Sequence, residues 1–223
     1  MIGSLLYLTA TGLDIQFAVC LCARYQASHR TSHRQAVNRI FRYLKFTPEL
    51  GLWYSSGSSL SLRGFSDADH AGCRIDRKST SSTCQLLGTS LVSWSSRKQA
   101  SVSLSTKKKT VASCCSQLLW MNATLNDFGL RFGRIPLLVD STYAIFIDKN
   151  PVLHSITKHI DVRFHFLRDH YEKGDIDLIH VVSANQLADI FTKPLEFDAF
   201  THLRGLLNMR ANGPASLLAW CDE

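Results

Sequence analysis

The sequence predicts a mixed α/β fold in which one sheet carries helices on its two faces. Three strand-like stretches follow one another between residues 60 and 95, and helices then alternate with strands as far as residue 207. This order of elements favours a sheet that has both antiparallel and parallel neighbours. Of the 223 residues, 45% are apolar, which is enough for a packed core of one large or two small domains.

Two helical stretches precede the predicted sheet. Residues 4–27 have apolar side chains at near-helical spacing, with a break at Thr11 and Gly12. A second helix begins after Thr31 or Ser32, either of which can serve as the N-cap, and ends before Pro48. Its apolar stripe consists of Ala36, Val37, Ile40, Phe41 and Leu44.

The strands are predicted from alternation and from turn residues. Residues 51–54 form a short strand, and the serine-rich turn at 55–59 is the best domain boundary. Residues 60–67 alternate as a strand, and Gly88-Thr89 closes a hairpin between residues 82–87 and 90–95. The predicted domains are an N-terminal helical unit, a sheet-containing unit and a divergent tail, at residues 1–55, 56–210 and 211–223.

The second half of the sheet-containing unit alternates between helix and strand. We expect helices at 111–128, 141–149, 160–173, 185–191 and 199–207, and strands at 135–139 and 176–182. We expect Trp53, Trp94 and Trp120 in the core, with Trp94 the one that merits a test for base stacking.

A basic stretch near the N-terminus predicts a polyanionic partner. No Asp or Glu occurs between Asp14 and Glu49, and the formal net charge of the chain is +7. A stretch of one sign can neutralise several backbone phosphates, although a solvated helix face is the alternative. The candidate nucleic-acid contacts are Arg34, Arg39, Arg42, Lys45, Arg77 and Lys78.

The cysteines and the hydropathy pattern bear on the compartment. Seven cysteines form no CxxC pair, which favours reduced thiols. No apolar run is long enough for a membrane span and no signal peptide is evident, so we expect an intracellular protein, cytoplasmic or nuclear, that does not bind membranes.

Two carboxylates stand where the strand at 60–67 ends. Asp67 and Asp69 precede Ala71-Gly72, and acidic side chains at a strand end are a common support for Mg²⁺, which prefers oxygen ligands. A strand that ends in a polar turn is the simpler interpretation. These residues alone leave both open.

The surrounding motifs resemble those of copia-type retrotransposon Pol polyproteins, at the end of the reverse transcriptase and in the ribonuclease H domain. Ile2-Gly3-Ser4-Leu5-Leu6-Tyr7-Leu8-Thr9-Ala10-Thr11 carries the resemblance to the reverse transcriptase. The resemblance to the ribonuclease H domain is carried by Ser66-Asp67-Ala68-Asp69, Asp76-Arg77-Lys78-Ser79-Thr80, Leu104-Ser105-Thr106, Thr157-Lys158-His159-Ile160-Asp161 and Leu187-Ala188-Asp189-Ile190-Phe191-Thr192-Lys193-Pro194. The resemblance implies a ribonuclease H-like fold after a remnant of the reverse transcriptase thumb and connection. No Tyr-x-Asp-Asp polymerase motif occurs, so polymerase activity is not expected of this chain.

The resemblance also implies a site of four carboxylates that hold two Mg²⁺ ions for cleavage of RNA in an RNA·DNA hybrid. By position, Asp67, Asp140 and Asp189 correspond to three of them, with Asp69 the weaker choice for the first. Thr110 occupies the fourth position, and Lys107, Lys108 and Lys109 bring positive charge towards the site. Compared with the family, the segment before Cys114-Cys115 is also about three residues short, which would rotate the rest of the helix by roughly 300°.

Three hypotheses follow from these residues. The first is a catalytically impaired domain that still binds RNA·DNA hybrid or duplex without sequence preference. The second is a weak Mg²⁺-dependent ribonuclease H that uses the three remaining aspartates. The third is an inert relic or a host-adopted interaction module.

Overall fold

The computed structural model describes residues 1–57, 59–69, 72–73, 75–100, 106–140 and 158–211, without the side chains of 158–164. The helix predicted at 141–149 lies outside the described residues, as does nearly all of the tail. Among the described helices, none combines the length and the apolar character that a membrane span requires.

One five-stranded mixed sheet forms the centre of the chain. Its strands are β2 (Leu62–Ala68), β3 (Thr80–Leu87), β4 (Ser90–Lys98), β5 (Ile135–Val139) and β6 (Ile176–His180). Their order across the sheet is β4-β3-β2-β5-β6. The hairpin strands are antiparallel to their neighbours, whereas β5 runs parallel to β2 and to β6. The predicted mixed sheet is therefore confirmed.

Two apolar layers cover the sheet. Helices α4 (Thr106–Asp127) and α5 (Lys158–Glu172) pack on one face, where Leu118 and Leu137 are fully buried. Gly64 of β2 is required here, because a Cβ at this position would lie 2.8 Å from Leu118 Cδ1. On the other face, Phe65 packs with Phe191 and with helix α6 (Phe197–Leu206).

Three helices precede the sheet: α1 (Ile2–Leu8), α2 (Gln16–Ala23) and α3 (Thr31–Phe46). They share a small core that contains Val19 and Ile40. The break predicted at Thr11 and Gly12 is confirmed, because a turn and a short 3₁₀ helix separate α1 from α2.

The N-terminal helices are joined to the sheet by specific contacts. Leu13 has no exposed surface and belongs to the apolar cluster under β2 and β3. Trp94 Nε1 donates to Thr9 O at 3.1 Å, and Arg24 donates to Thr80 Oγ1 at 3.1 Å. Strand β1 (Leu50–Leu52) pairs with β7 (Met209–Ala211) from the far end of the chain. The predicted boundary near residue 55 is thus crossed by packing, hydrogen bonds and a strand pair, and it stays a prediction.

Several local expectations were wrong. The N-cap of α3 is Arg30, whose backbone N–H donates to His33 Nδ1 at 3.0 Å, so neither Thr31 nor Ser32 caps the helix. Phe41 lies outside the core stripe because its side chain faces solvent.

Two of the three tryptophans that were expected in the core are also exposed. Trp53 follows the end of β1 and faces solvent, and Trp120 lies about 200° around α4 from the buried Leu118. Trp94 packs against the core as predicted, and its indole N–H is already bonded to the N-terminal segment.

The ends of two helical segments also differ from expectation. Helix α4 begins at Thr106, five residues before the predicted start, so the lysine run lies in a regular helix. Residues 187–191 form a 3₁₀ helix, Leu187–Phe191, whose five residues are all buried.

Candidate functional site

Asp67 and Asp140 lie side by side at one edge of the sheet. Strands β2 and β5 are parallel, with Ser66 opposite Val139, so the residues that follow them emerge at the same edge. Asp67 is 5% exposed, and Asp140 is partly exposed. Together with Ser66 and Val111 they line a cavity of about 10 Å³.

Asp189 reaches the same edge from the 3₁₀ helix Leu187–Phe191. No sequence pattern indicated how this helix is attached to the sheet. The buried Gln186 side chain donates to Ser66 O at 3.2 Å and accepts from Ala188 N at 3.3 Å. Ser82 and Ser96 donate to the carbonyl oxygens of Ala188 and Phe191 at 2.8 Å and 2.6 Å. These hydrogen bonds attach the 3₁₀ helix that carries Asp189 to β2, β3 and β4.

The carboxylates of Asp67 and Asp189 are neighbours in a buried setting. Thr192 Oγ1 donates to Asp67 Oδ2 at 2.6 Å. Burial, and then the negative charge of Asp67, raise the pKa of Asp189 to about 6, while the hydrogen bond from Lys193 opposes this shift. Proximity to a second acid is therefore part of the environment of Asp189.

Two lysine ammonium groups form ion pairs with Asp189 and Asp140. Lys193 Nζ is 2.7 Å from Asp189 Oδ2, and Lys107 Nζ is 3.2 Å and 3.3 Å from the two oxygens of Asp140. Partial burial lowers the pKa of Lys193, but the hydrogen bond to Asp189 and the negative charges of Asp189, Asp67 and Asp140 raise it overall. All three acids therefore act electrostatically on Lys193, and Lys107 pairs with Asp140.

Thr110, at the predicted fourth position, is buried. Its hydroxyl donates to Thr106 O at 3.0 Å, one turn earlier in α4. Lys107 and Val111, rather than Thr110, are the α4 residues that line the cavity beside Asp67 and Asp140.

Asp69 has a role in the turn after β2. Its Oδ1 accepts from Thr80 N at 2.6 Å. Burial raises the pKa of Asp69, and this backbone hydrogen bond opposes the shift. The side chain closes the loop between β2 and β3.

Asp67, Asp140 and Asp189 offer carboxylate oxygens, which are the ligands that a hard cation such as Mg²⁺ prefers. Within the described part of the chain, Asp189 Oδ1 is buried and accepts no hydrogen bond, so it is available to a cation or a proton. Among the described residues, however, no three Asp, Glu, His or Cys side chains lie close enough together to hold a metal ion. The predicted Mg²⁺ site therefore stays a prediction.

The basic residues of α3 share one face. Arg34, Arg39, Arg42 and Lys45 are exposed and lie within an arc of about 140° at 100° per residue. The buried Val37 and Ile40 lie on the opposite side. Phe41 and Phe46 are also exposed, and Lys45 Nζ lies 5.9 Å from the ring centre of Phe46.

Arg77 and Lys78 lie in the loop between β2 and β3. Arg77 is exposed with φ 55°, and Lys78 is half-buried. Next to them, Asp76 is paired with Lys98 at 2.7 Å. This loop is adjacent to Thr80 and Asp69, so it is near the acidic edge, whereas the α3 residues belong to the N-terminal helices.

The chain is similar in sequence to retrotransposon proteins. It is 36% identical over 219 residues to the retrovirus-related Pol polyprotein from transposon RE1 of Arabidopsis thaliana, covering 96% of this chain and 15% of that protein. It is 31% identical over 215 residues to the Pol polyprotein from transposon TNT 1-94 of Nicotiana tabacum, covering 95% of this chain and 16% of that protein. The chain thus spans about a sixth of these relatives. No family model matches.

Solved ribonuclease H structures are distantly similar to this chain. The N-terminal ribonuclease H domain of a Mycobacterium tuberculosis protein matches with a TM-score of 0.42 and 10% identity over 66% of this chain and 98% of that one. LC11 ribonuclease H1, in complex with an RNA/DNA hybrid, matches with a TM-score of 0.44 and 10% identity over 59% of this chain and 94% of that one. Both TM-scores are below 0.5. The strand order of this chain itself defines its mixed α/β fold.

Proposed function

Because the chain belongs to the copia-type retrotransposon Pol polyproteins, we propose that it binds RNA·DNA hybrid or duplex nucleic acid as a ribonuclease H-like domain whose cleavage activity is impaired. In this proposal residues 56–210 form that domain, residues 1–55 are the thumb and connection remnant, and residues 211–223 are a divergent tail. The single observation that supports the proposal is that Asp67 and Asp140 follow adjacent parallel strands and Asp189 lies near Asp67, whereas the first turns of α4 carry Lys107 and Thr110 and no acid.

The proposed impairment follows from the demands of two-metal hydrolysis. Mg²⁺, bound by Asp67, Asp140 and Asp189, would supply an activated water and stabilise the leaving oxygen. In the family a fourth carboxylate from the first long helix completes the site, and this chain has Thr110 at that position. With its hydroxyl bonded to Thr106 O, Thr110 is an inadequate replacement, because a neutral hydroxyl contributes no ligand charge.

Binding requires none of these acids. The exposed guanidinium groups of Arg34, Arg39 and Arg42, with Lys45, can contact backbone phosphates, and the exposed Phe41 and Phe46 can contact sugars or bases. Arg77 and Lys78 offer further contacts close to the acidic edge. Phosphate contacts of this kind do not depend on sequence, so the proposed partner is any RNA·DNA hybrid or duplex.

Hybrid binding in EDTA tests the proposal without requiring catalysis. Fluorescence anisotropy with a labelled RNA·DNA hybrid should show binding that weakens steeply with salt and is alike for unrelated sequences. Each phosphate neutralised adds about 0.9 to the slope of log affinity against log salt on B-form DNA. A flat salt dependence, or no binding at the lowest salt, would contradict the proposal.

A weak Mg²⁺-dependent ribonuclease H remains a second candidate. It is favoured by the position of Asp67 beside Asp140 and by the buried Asp189 Oδ1, which among the described groups lacks a hydrogen-bond donor. Cleavage of hybrid that needs Mg²⁺ and is lost in Asp67→Asn would favour this candidate.

A further inference from the structure

Lys107 lines the cavity beside Asp67 and Asp140, and its ammonium group supplies a positive charge there. It is the second residue of α4, and its side chain crosses from the helix to the end of β5. The ammonium lies nearly equidistant from both carboxylate oxygens of Asp140, at 3.2 Å and 3.3 Å. Both oxygens of this acid are therefore already engaged by a positive charge that is part of the chain.

Two ammonium groups offset most of the negative charge of the three predicted metal ligands. Asp67, Asp140 and Asp189 bring three negative charges when ionised, and Lys107 and Lys193 bring two positive ones. A two-metal site must instead balance four positive charges from Mg²⁺, which needs a surplus of carboxylates. The net charge of about −1 on these five side chains does not fit two bound Mg²⁺ ions.

The available space points the same way. The cavity lined by Asp67, Lys107 and Asp140 has a volume of about 10 Å³, which is near the smallest space that holds one water molecule. Mg²⁺ usually retains several of its waters in proteins, so it needs considerably more room. For Mg²⁺ to occupy this cavity and take both oxygens of Asp140, the Lys107 side chain, which is 40% exposed, would have to withdraw.

From these contacts we propose that Lys107 is a tethered counter-ion that replaces divalent metal at Asp140, and that it excludes Mg²⁺ from this edge. This inference rests on the proposed function only in taking the acids as the family's metal ligands. It attributes the proposed weakening of metal binding to the added cation as well as to the missing acid at Thr110. It also identifies position 107, rather than position 110, as the α4 position whose side chain contacts Asp140.

The test is Mg²⁺ binding in the absence of nucleic acid, measured by isothermal titration calorimetry on the full chain. Lys107→Glu exchanges the ammonium for a carboxylate beside Asp140 and should bind Mg²⁺ at least about tenfold more tightly than the unmodified protein, because an attractive charge replaces a repulsive one a few ångströms away. Lys107→Ala should fall between the two. An acidic residue in the first turn of a helix is favourable, and circular dichroism checks that the variant is folded.

Lys109→Glu is the matched control. It makes the same change in charge two residues further along α4, about 200° around the helix from Lys107. Mg²⁺ affinity close to that of the unmodified protein is expected for it. Equal gains in Lys107→Glu and Lys109→Glu, or tight Mg²⁺ binding by the unmodified chain, would overturn the inference. Hybrid binding in EDTA involves no metal, so its failure would count against the proposed function alone.

Discussion

Simultaneous replacement of Arg34, Arg39 and Arg42 by Ala should weaken RNA·DNA hybrid binding by about 10- to 100-fold at low salt. The three guanidinium groups are exposed on one face of α3, and none contributes to the core formed by Val37 and Ile40. Loss of three phosphate contacts should also lower the salt slope by about 2 to 3. Fluorescence anisotropy over a range of salt concentrations measures both effects.

A triple variant of equal charge provides the control. Arg131, Arg134 and Lys173 lie near the start of β5 and the end of α5, at the opposite end of β5 from the acids. Their replacement by Ala removes the same three charges and should leave the salt slope close to that of the unmodified protein. Similar losses in the two triple variants would show that overall charge, and not the face of α3, determines binding.

Leu13→Ala should lower the free energy of unfolding by about 2 to 5 kcal/mol. Leu13 has no exposed surface and belongs to the same apolar cluster as Phe65, Phe191 and Leu207, although it is part of the N-terminal helical segment. A truncated side chain leaves a cavity between this segment and the sheet. The loss is a large share of the 5 to 15 kcal/mol that is typical of a whole domain. Urea unfolding followed by circular dichroism provides the measurement.

Leu6→Ala is the control for this effect, because Leu6 belongs to the same segment and is 38% exposed. Its replacement should change the unfolding free energy far less. A small effect of Leu13→Ala, or a second unfolding transition that Leu13→Ala alone shifts, would mean that residues 1–55 are stable independently of the sheet.

The strands were predictable because their signals are local. Ile135–Val139 matches its predicted bounds, and the Gly88-Thr89 turn defined the β3–β4 hairpin. Strand β7 was missed because its partner β1 is more than 150 residues away in the sequence and neither strand exceeds three residues. Pairing between such distant short segments leaves little pattern in either one.

The candidate site was predictable as a set of acids, but their surroundings were not. The motif that contains Asp189 indicated a late acid, yet the attachment of its 3₁₀ helix by Gln186 and Ser82 depends on contacts between residues about 100 apart. The lysine run indicated positive charge near the acids. That Lys107 reaches Asp140 depends on where α4 begins, and the start of the helix was predicted five residues too late.

Cleavage of an RNA·DNA hybrid by the purified chain in Mg²⁺, measured beside hybrid binding in EDTA, tests the central claim most directly. We predict salt-sensitive binding together with cleavage far slower than that of a relative with all four carboxylates. The missing acid at Thr110 and the ammonium of Lys107 on Asp140 both act against the two-metal geometry. Rapid Mg²⁺-dependent cleavage by the unmodified chain, abolished in Asp67→Asn, would contradict the account.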